Sequence, residues 1–233
     1  MKIMVTISTY NERQNIGDLI TGILSLGRGI EVVVADDDSP DGTWQIVQEL
    51  ARANPFVHLL HRKENRGRGS AGKEAFHYAV TKGADVIVEM DGDFSHHPKF
   101  ILSLIERTKD FDVVIGSRYI KGGKDLRKSA VRRIISRLST WYSRKALGLP
   151  VIDCNSGFRC FKRSVFEAVP PLSLKSTGPS IVHELLYKAF RKGFRIGEVP
   201  IEFEDREKDQ SKLTVGKLLN GMYMIVKIRR GLI

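Results

Sequence analysis

Asp91 and Asp93, one residue apart in the stretch DGDFSHHP, directly follow ADVIVEM, an apolar run with the length and composition of a buried strand. Two carboxylates leaving a strand end, with only the small Gly92 between them, suit a shared divalent cation. Mg2+ or Mn2+ fits best, because hard cations prefer oxygen donors. Asp is also common in turns, where its side chain binds nearby backbone, so the pair gains chemical meaning only from its surroundings. A second acidic group, Asp36, Asp37 and Asp38, stands just past another apolar run, IEVVVA. His96 and His97 follow the Asp pair, but imidazole suits zinc or nickel better than a phosphate-bound hard cation. Their expected task is shaping the loop, with Pro98 opening the next helix.

The elements that must position these groups alternate regularly. KIMVTIST, IEVVVA, VHLLHR and ADVIVEM read as strands, and the segments NIGDLITGILSL, TWQIVQELARAN and GSAGKEAFHYAVTKG between them carry helical spacing. That order predicts an α/β fold, a mostly parallel sheet with helices on both faces. Ligands of such sheets bind beyond the carboxyl ends of the strands. Tyr10, Asn11 and Glu12 follow the first strand, Asp36 to Asp38 the second, Arg66 to Gly69 the third, and Asp91 and Asp93 the fourth. All four turns then share one edge. The later segments RRIISRLSTWYSRKALG and SIVHELLYKAFRKG are predicted helices, and DVVIGSRY and RIGEVPIEFE predicted strands. No composition break appears, so residues 1–233 read as a single domain ending in amphipathic helices at about 211–233.

The chain has 233 residues, 42% hydrophobic, a net charge of +11 and a pI near 9.7. A basic balance attracts polyanions: nucleic acid, anionic headgroups or phosphorylated substrates. The basic residues thicken in KGGKDLRKSAVRR and KIRR, away from the acidic turns. A nucleic-acid module would want stacking aromatics along a basic groove and has no use for paired carboxylates at strand ends. No apolar run approaches the roughly 20 residues needed to span a bilayer. The opening MKIMVTISTYNE reads as a first strand rather than a leader peptide. Cys154 and Cys160 read as a reduced pair.

In order along the chain, TYNE, DDDSPDGT, MDGDFSHHP, IGSRY, RRIISR, SGF, GEVPIEFEDR and SKL resemble the dolichol-phosphate mannosyltransferases, inverting enzymes of glycosyltransferase family two. The resemblance covers nearly the whole chain. It implies a Rossmann-like nucleotide-diphospho-sugar transferase fold of the GT-A type. It also implies transfer of mannose from GDP-mannose to a dolichyl or polyprenyl phosphate, with UDP-glucose as the alternative donor.

By the same resemblance, Ser8, Tyr10, Glu12, Ala35 and Asp37 line the donor pocket with Gly92, and Asp37 recognises base or ribose. Asp91 and Asp93, with Ser95 near them, hold the metal. Ser8 stands where relatives carry Pro, and Gly92 where they usually carry Ala. Arg118, Arg132, Arg133 and Ser136 match the acceptor-phosphate residues, and Arg206 and Lys212 a loop that closes on the donor diphosphate. Arg66 and Arg68 depart from the family pattern and are expected to be solvated.

The acceptor chemistry has a physical basis of its own. A phosphate monoester is mostly dianionic at neutral pH, so it needs no general base, only cations to bring two anions together. A polyprenyl acceptor sits in a bilayer, which places the enzyme peripherally at a membrane surface, on the cytoplasmic side. Relatives are anchored by following transmembrane helices or by a membrane-anchoring subunit. Leu213, Leu218, Leu219, Met222, Ile225 and Val226, with Lys217, Lys227, Arg229 and Arg230, form a C-terminal stripe. It either lies in the membrane interface or packs on the core.

Overall fold

Strand β1 (Ile3–Thr9) is buried along nearly its whole length, as a central strand covered on both faces must be. The computed structural model describes residues 1–204 and 215–233. Strands β2 (Glu31–Asp36) and β4 (Val86–Asp91) run parallel to β1 on either side of it, and β3 (Val57–His61) adds parallel to β2. The crossovers are helices α1 (Ile16–Leu24), α2 (Thr43–Ala53) and α3 (Arg68–Thr81), followed after β4 by α4 (Ile101–Arg107). Strand β5 (Val113–Ser117) then opens a long excursion. It contains the two-residue β6 (Lys124–Asp125) and helix α5 (Ala130–Leu147), and returns as β7 (Arg159–Lys162). Helices α6 (Arg163–Ala168) and α7 (Ile181–Arg191), strands β8 (Ile196–Pro200) and β9 (Glu202–Phe203), and helix α8 (Val215–Arg229) complete the order.

The seven-stranded sheet runs β3-β2-β1-β4-β7-β5-β8, with β7 antiparallel to both neighbours and the other pairings parallel. Alternate side chains of β1 divide between two cores. Met4 joins a cluster with Ala75 and Phe76 of α3, Phe166 of α6, Leu185 of α7, and Ile225 and Ile228 of α8. Ile3, Val5 and Ile7 pack with Leu19 and Ile20 of α1, Val47 of α2, and Leu104 of α4. The α/β expectation thus holds.

The C-terminal helix ends at Arg229, and the described part packs on α5 and α7. Ile225 and Ile228 are buried, whereas Met222 and Tyr223 are exposed. One side of the expected stripe is therefore core. Leu213 and the side chains of Lys217, Leu218 and Leu219 lie outside the described residues. Cys154 and Cys160 are free and buried, and burial pushes the Cys154 thiol up to about 12.

Candidate active site

Beyond the carboxyl ends of β1, β2 and β4, a cavity of about 190 Å³ is lined by Ser8, Tyr10, Glu12, Asp37, Arg68, Asp91, Gly92 and Asp93, among others. Parallel strands deliver their following turns to one edge, which is why residues eighty positions apart meet there. The larger hollow beside His58 and Tyr78 has no carboxylate in its lining.

Each member is held by local geometry. Asp36 is fully buried and accepts hydrogen bonds from the Thr9 hydroxyl at 2.7 Å, the Ser39 N–H at 2.8 Å and the Ser39 hydroxyl at 2.7 Å. It builds the turn. Asp37 accepts from Arg62 and, at 2.6 Å, from the Gly67 N–H. Its carboxylate is thus oriented at the wall, with lone pairs to spare for a ligand. Ala35 is fully buried inside the core cluster. It packs below the cavity and does not line it, which corrects the expectation. Ser8 and Tyr10 are on the wall, the Tyr10 side chain well exposed.

Asp93 is nearly buried, and its Oδ1 accepts from the Ser95 N–H at 3.0 Å and the Ser95 hydroxyl at 2.5 Å. Ser95 therefore serves Asp93. Gly92 leaves no room for a side chain: a Cβ there would fall 2.9 Å from the Thr9 methyl. His97 accepts from the Lys99 N–H at 3.0 Å, where Pro98 opens a single 3-10 turn, so it shapes the loop as expected. His96 is buried between the rings of Phe158 and Phe203. Its Nδ1 makes no hydrogen bond and lies 3.8 Å from Asp91 Oδ2. Burial lowers the His96 pKa, against the pull of Asp91 and Asp93.

Arg68 overturns the expectation of a solvated side chain. It stands on the first turn of α3, and its Nη2 donates to Asp91 Oδ1 at 2.6 Å. Gly157 makes the approach feasible, because a Cβ there would lie 2.6 Å from Arg68 Nη2. Arg66, by contrast, is largely exposed and reaches Asp38 at 2.6 Å.

Arg118 leaves the end of β5 and is gripped by Asp153. Nε and Nη2 each donate at 2.8 Å, and its backbone N–H donates to Asp153 Oδ2 at 3.0 Å. Two of five guanidinium N–H groups are spent there, and three remain for a ligand. Its guanidinium also lies 5.0 Å from the Phe203 ring, which touches His96, so the Arg118 corner adjoins the Asp91 corner.

Helix α5 begins at Ser129, whose hydroxyl accepts from the Arg132 N–H at 3.3 Å. One turn on, the Ser136 hydroxyl accepts from the Tyr119 hydroxyl at 3.0 Å, tying α5 to the residue after Arg118. Arg132 stands on this turn. Arg133 instead turns back to the carbonyls of Arg127 and Lys128, closing the loop before the helix. The outer face of α5 exposes Val131, Ile134, Leu138 and Trp141, all at least 58% accessible, on one helical stripe. Arg206 and Lys212 lie outside the described residues.

Sequence reasoning missed Arg68, Asp153 and Gly157 as site residues. Asp153 stands five residues before Phe158 in VIDCNSGF, a segment read only for its cysteines and SGF.

Residues 4–169 match the family model described as glycosyl transferase family 2. The chain belongs to that family. Family 2 relatives extend over almost its whole length. The polyprenol monophosphomannose synthase of Mycolicibacterium smegmatis is 34% identical over 97% of this chain and 86% of its own. The undecaprenyl-phosphate mannosyltransferase of Micrococcus luteus is 35% identical over 93% and 89%. The dolichol-phosphate mannosyltransferase of Pyrococcus furiosus is 38% identical over 97% of this chain, which spans 64% of that protein. The fold is the Rossmann-like GT-A type. It superposes on glucosyl-3-phosphoglycerate synthase of Mycobacterium tuberculosis, solved with Mn2+ and UDP, with a TM-score of 0.70 at 19% identity. That likeness covers 99% of this chain and 80% of the other. Among the described residues, no helix is long and apolar enough to cross a membrane.

Proposed function

We propose that this glycosyltransferase moves mannose from GDP-mannose to a dolichyl or polyprenyl phosphate with inversion, working at a membrane surface. The observation that carries the reading is one continuous arrangement: an Asp91–Asp93 pair in a cavity, with Arg118 and α5 adjoining it and an apolar ridge on the outer side of α5. The curated relatives support the substrate class.

The donor set fits Mg2+ or Mn2+, since Asp91 and Asp93 present hard carboxylate oxygens to a cavity that phosphate oxygens can enter. Among the described residues no cage of three or more His, Cys, Asp or Glu surrounds the spot, so a bound diphosphate would supply further ligands. Such a cation neutralises charge on the departing nucleotide diphosphate. Asp37 and Glu12 line the cavity, and we assign them to the nucleoside.

On the acceptor side, the free N–H groups of Arg118, with Arg132 and the Tyr119–Ser136 pair, orient a phosphate dianion toward the sugar. Two anions are held together by cations, and no side chain need take a proton. The ridge of Val131, Ile134, Leu138 and Trp141 seats in acyl chains, which brings the phosphate of a membrane-held acceptor to the Arg118 level. The α5 ridge joins the C-terminal helix, whose Met222 and Tyr223 are also exposed, as a surface for that membrane contact.

A donor screen tests the reading, with radiolabelled GDP-mannose and UDP-glucose offered to short polyprenyl phosphates. Lipid-linked mannose formed only from GDP-mannose is expected. Labelled lipid from UDP-glucose alone would replace mannose by glucose, and no labelled lipid from either would sink the acceptor assignment.

A further inference from the structure

Arg68 occupies the carboxylate that the metal needs. Its Nη2 lies 2.6 Å from Asp91 Oδ1, it stands on the cavity wall, and its side chain is only 31% exposed. The charges of Asp91, Glu89 and Asp93 all act on it, and Glu89 is itself buried one strand step below Asp91. Asp91 and Asp93 thus stand together at the end of β4, where like charges repel, and burial pushes up the pKa of the Glu89 carboxyl below them. Arg159, another buried cation nearby, gives its hydrogen bonds to the carbonyls of Ser156 and Cys154, at 2.7 Å each, and of Val182, and its charge acts on Glu89. Arg68 brings a positive charge to the cavity wall itself. Its place is shaped, since a Cβ on Gly157 would collide with it.

We propose that Arg68 is a resident stand-in for the divalent cation: it neutralises Asp91 when the site holds no metal, and metal binding requires it to withdraw. This rests on the assignment of Asp91 and Asp93 to the metal. An arginine side chain is long, rotatable and always charged, so it can leave Asp91 without changing protonation. It starts from the N-terminal turn of α3 and faces the cavity that receives the diphosphate, so withdrawal keeps it among anions. When the nucleotide diphosphate departs, Arg68 swings back to Asp91. The Asp91 carboxylate thus keeps a cation beside it through the cycle, and release of the charged product is eased. The residue tunes metal affinity downward in exchange for turnover.

The test uses the full chain, comparing wild type with Arg68→Leu. Mn2+ alone is titrated into each protein, and the free ion is followed by electron paramagnetic resonance. Melting is recorded in chelator and in saturating Mn2+. Arg68→Leu is expected to bind Mn2+ about tenfold tighter or more, the scale of one charge-assisted hydrogen bond. It should melt below wild type in chelator and regain more of its melting temperature on adding Mn2+. Equal Mn2+ uptake by the two proteins, zero uptake included, overturns the proposal. So does an Arg68→Leu protein whose lower melting temperature is not recovered by Mn2+, because Arg68 would then be a structural brace. Transfer by the wild type that persists in chelator overturns the metal assignment of Asp91 and Asp93 instead.

Discussion

Arg118 and Asp153 form a doubly hydrogen-bonded ion pair, 2.8 Å at each contact, with the Asp153 carboxylate wholly buried and the Arg118 side chain 7% exposed. Burial works against the Arg118 charge, yet the hydrogen bond and charge of Asp153 hold its pKa above the ordinary value. Removing one partner strands the other in a poorly solvated place, which costs about 3–5 kcal/mol in buried pairs. Asp153→Ala should therefore lower unfolding stability by about that amount and also slow transfer, because Arg118 loses its aim. Urea denaturation alongside a transfer assay reads both. A stable variant with wild-type activity would show that the pair neither braces nor orients.

Asp91→Asn and Asp93→Asn each remove one hard-oxygen charge from the cavity. Metal-assisted stabilisation of a leaving group is worth several kcal/mol, so turnover should drop by about 100-fold or more in either variant. Steady-state rates against metal concentration check this. Unchanged rates in chelator would remove the metal from the mechanism.

Arg132 and Ser136 serve the acceptor in this reading, whereas Asp37 serves the donor. Arg132→Ala should leave GDP binding nearly intact by calorimetry while slowing transfer by about ten- to a hundredfold, the worth of a charge-assisted hydrogen bond. Comparable losses of GDP affinity in Arg132→Ala and Asp37→Ala would merge the two sites into one.

Ile134 and Leu138 are 58% and 61% exposed on the outer stripe of α5. Each apolar side chain buried in acyl chains contributes about 1.5–3 kcal/mol, so Ile134→Asp with Leu138→Asp should abolish sedimentation with liposomes. Exposed positions tolerate change, so unfolding stability should shift by less than about 0.5 kcal/mol per site. Undiminished pelleting of the double variant would send the membrane contact elsewhere.

His183 donates toward Asn155 Oδ1 at 2.8 Å, and its pKa is lowered to about 3, by burial first and by the charges of Arg159 and Arg68 next. The folded value lies below the ordinary one of about 6.5. Between those values the unfolded chain takes up a proton that the folded chain refuses, so stability falls as pH drops. The group contributes up to about 1.4 kcal/mol per pH unit. His183→Gln should flatten the slope of unfolding free energy over the mildly acidic range. Parallel slopes for the two proteins would show that His183 does not titrate against folding.

Much of this was legible because it is local. Apolar runs ending in Asp91 and Asp36 announce parallel strands and their ligand edge without any tertiary information. What was hidden depends on convergence. The partner of Arg68 is 23 residues away in sequence, and only the meeting of α3 with β4 decides whether such an arginine is solvated or paired. Ala35 alternates toward the core by one residue of register, a difference that a fully buried strand does not display in its composition. Both α5 and α8 carry apolar stripes, and periodicity cannot say which stripe the fold covers. Ile225 and Ile228 found a core to enter, while Ile134 and Leu138 did not.

The reversed strand β7 sets which of its loops reaches the ligand edge of the sheet. A strand running against its neighbours brings its incoming loop, rather than its outgoing one, to the edge where the others end. Arg159 thus pairs with Glu89, and the turn before it lays Gly157 against Asp91. That turn is also the last stretch of the excursion that carries α5. Helix α5, proposed above to meet the lipid, and Gly157, which lies against Asp91, are therefore joined by one short tether. An insertion after Leu147 would lengthen that tether and is expected to shift Arg132 and Ser136 of α5 relative to Arg118 while leaving Asp91 and Asp93 in place.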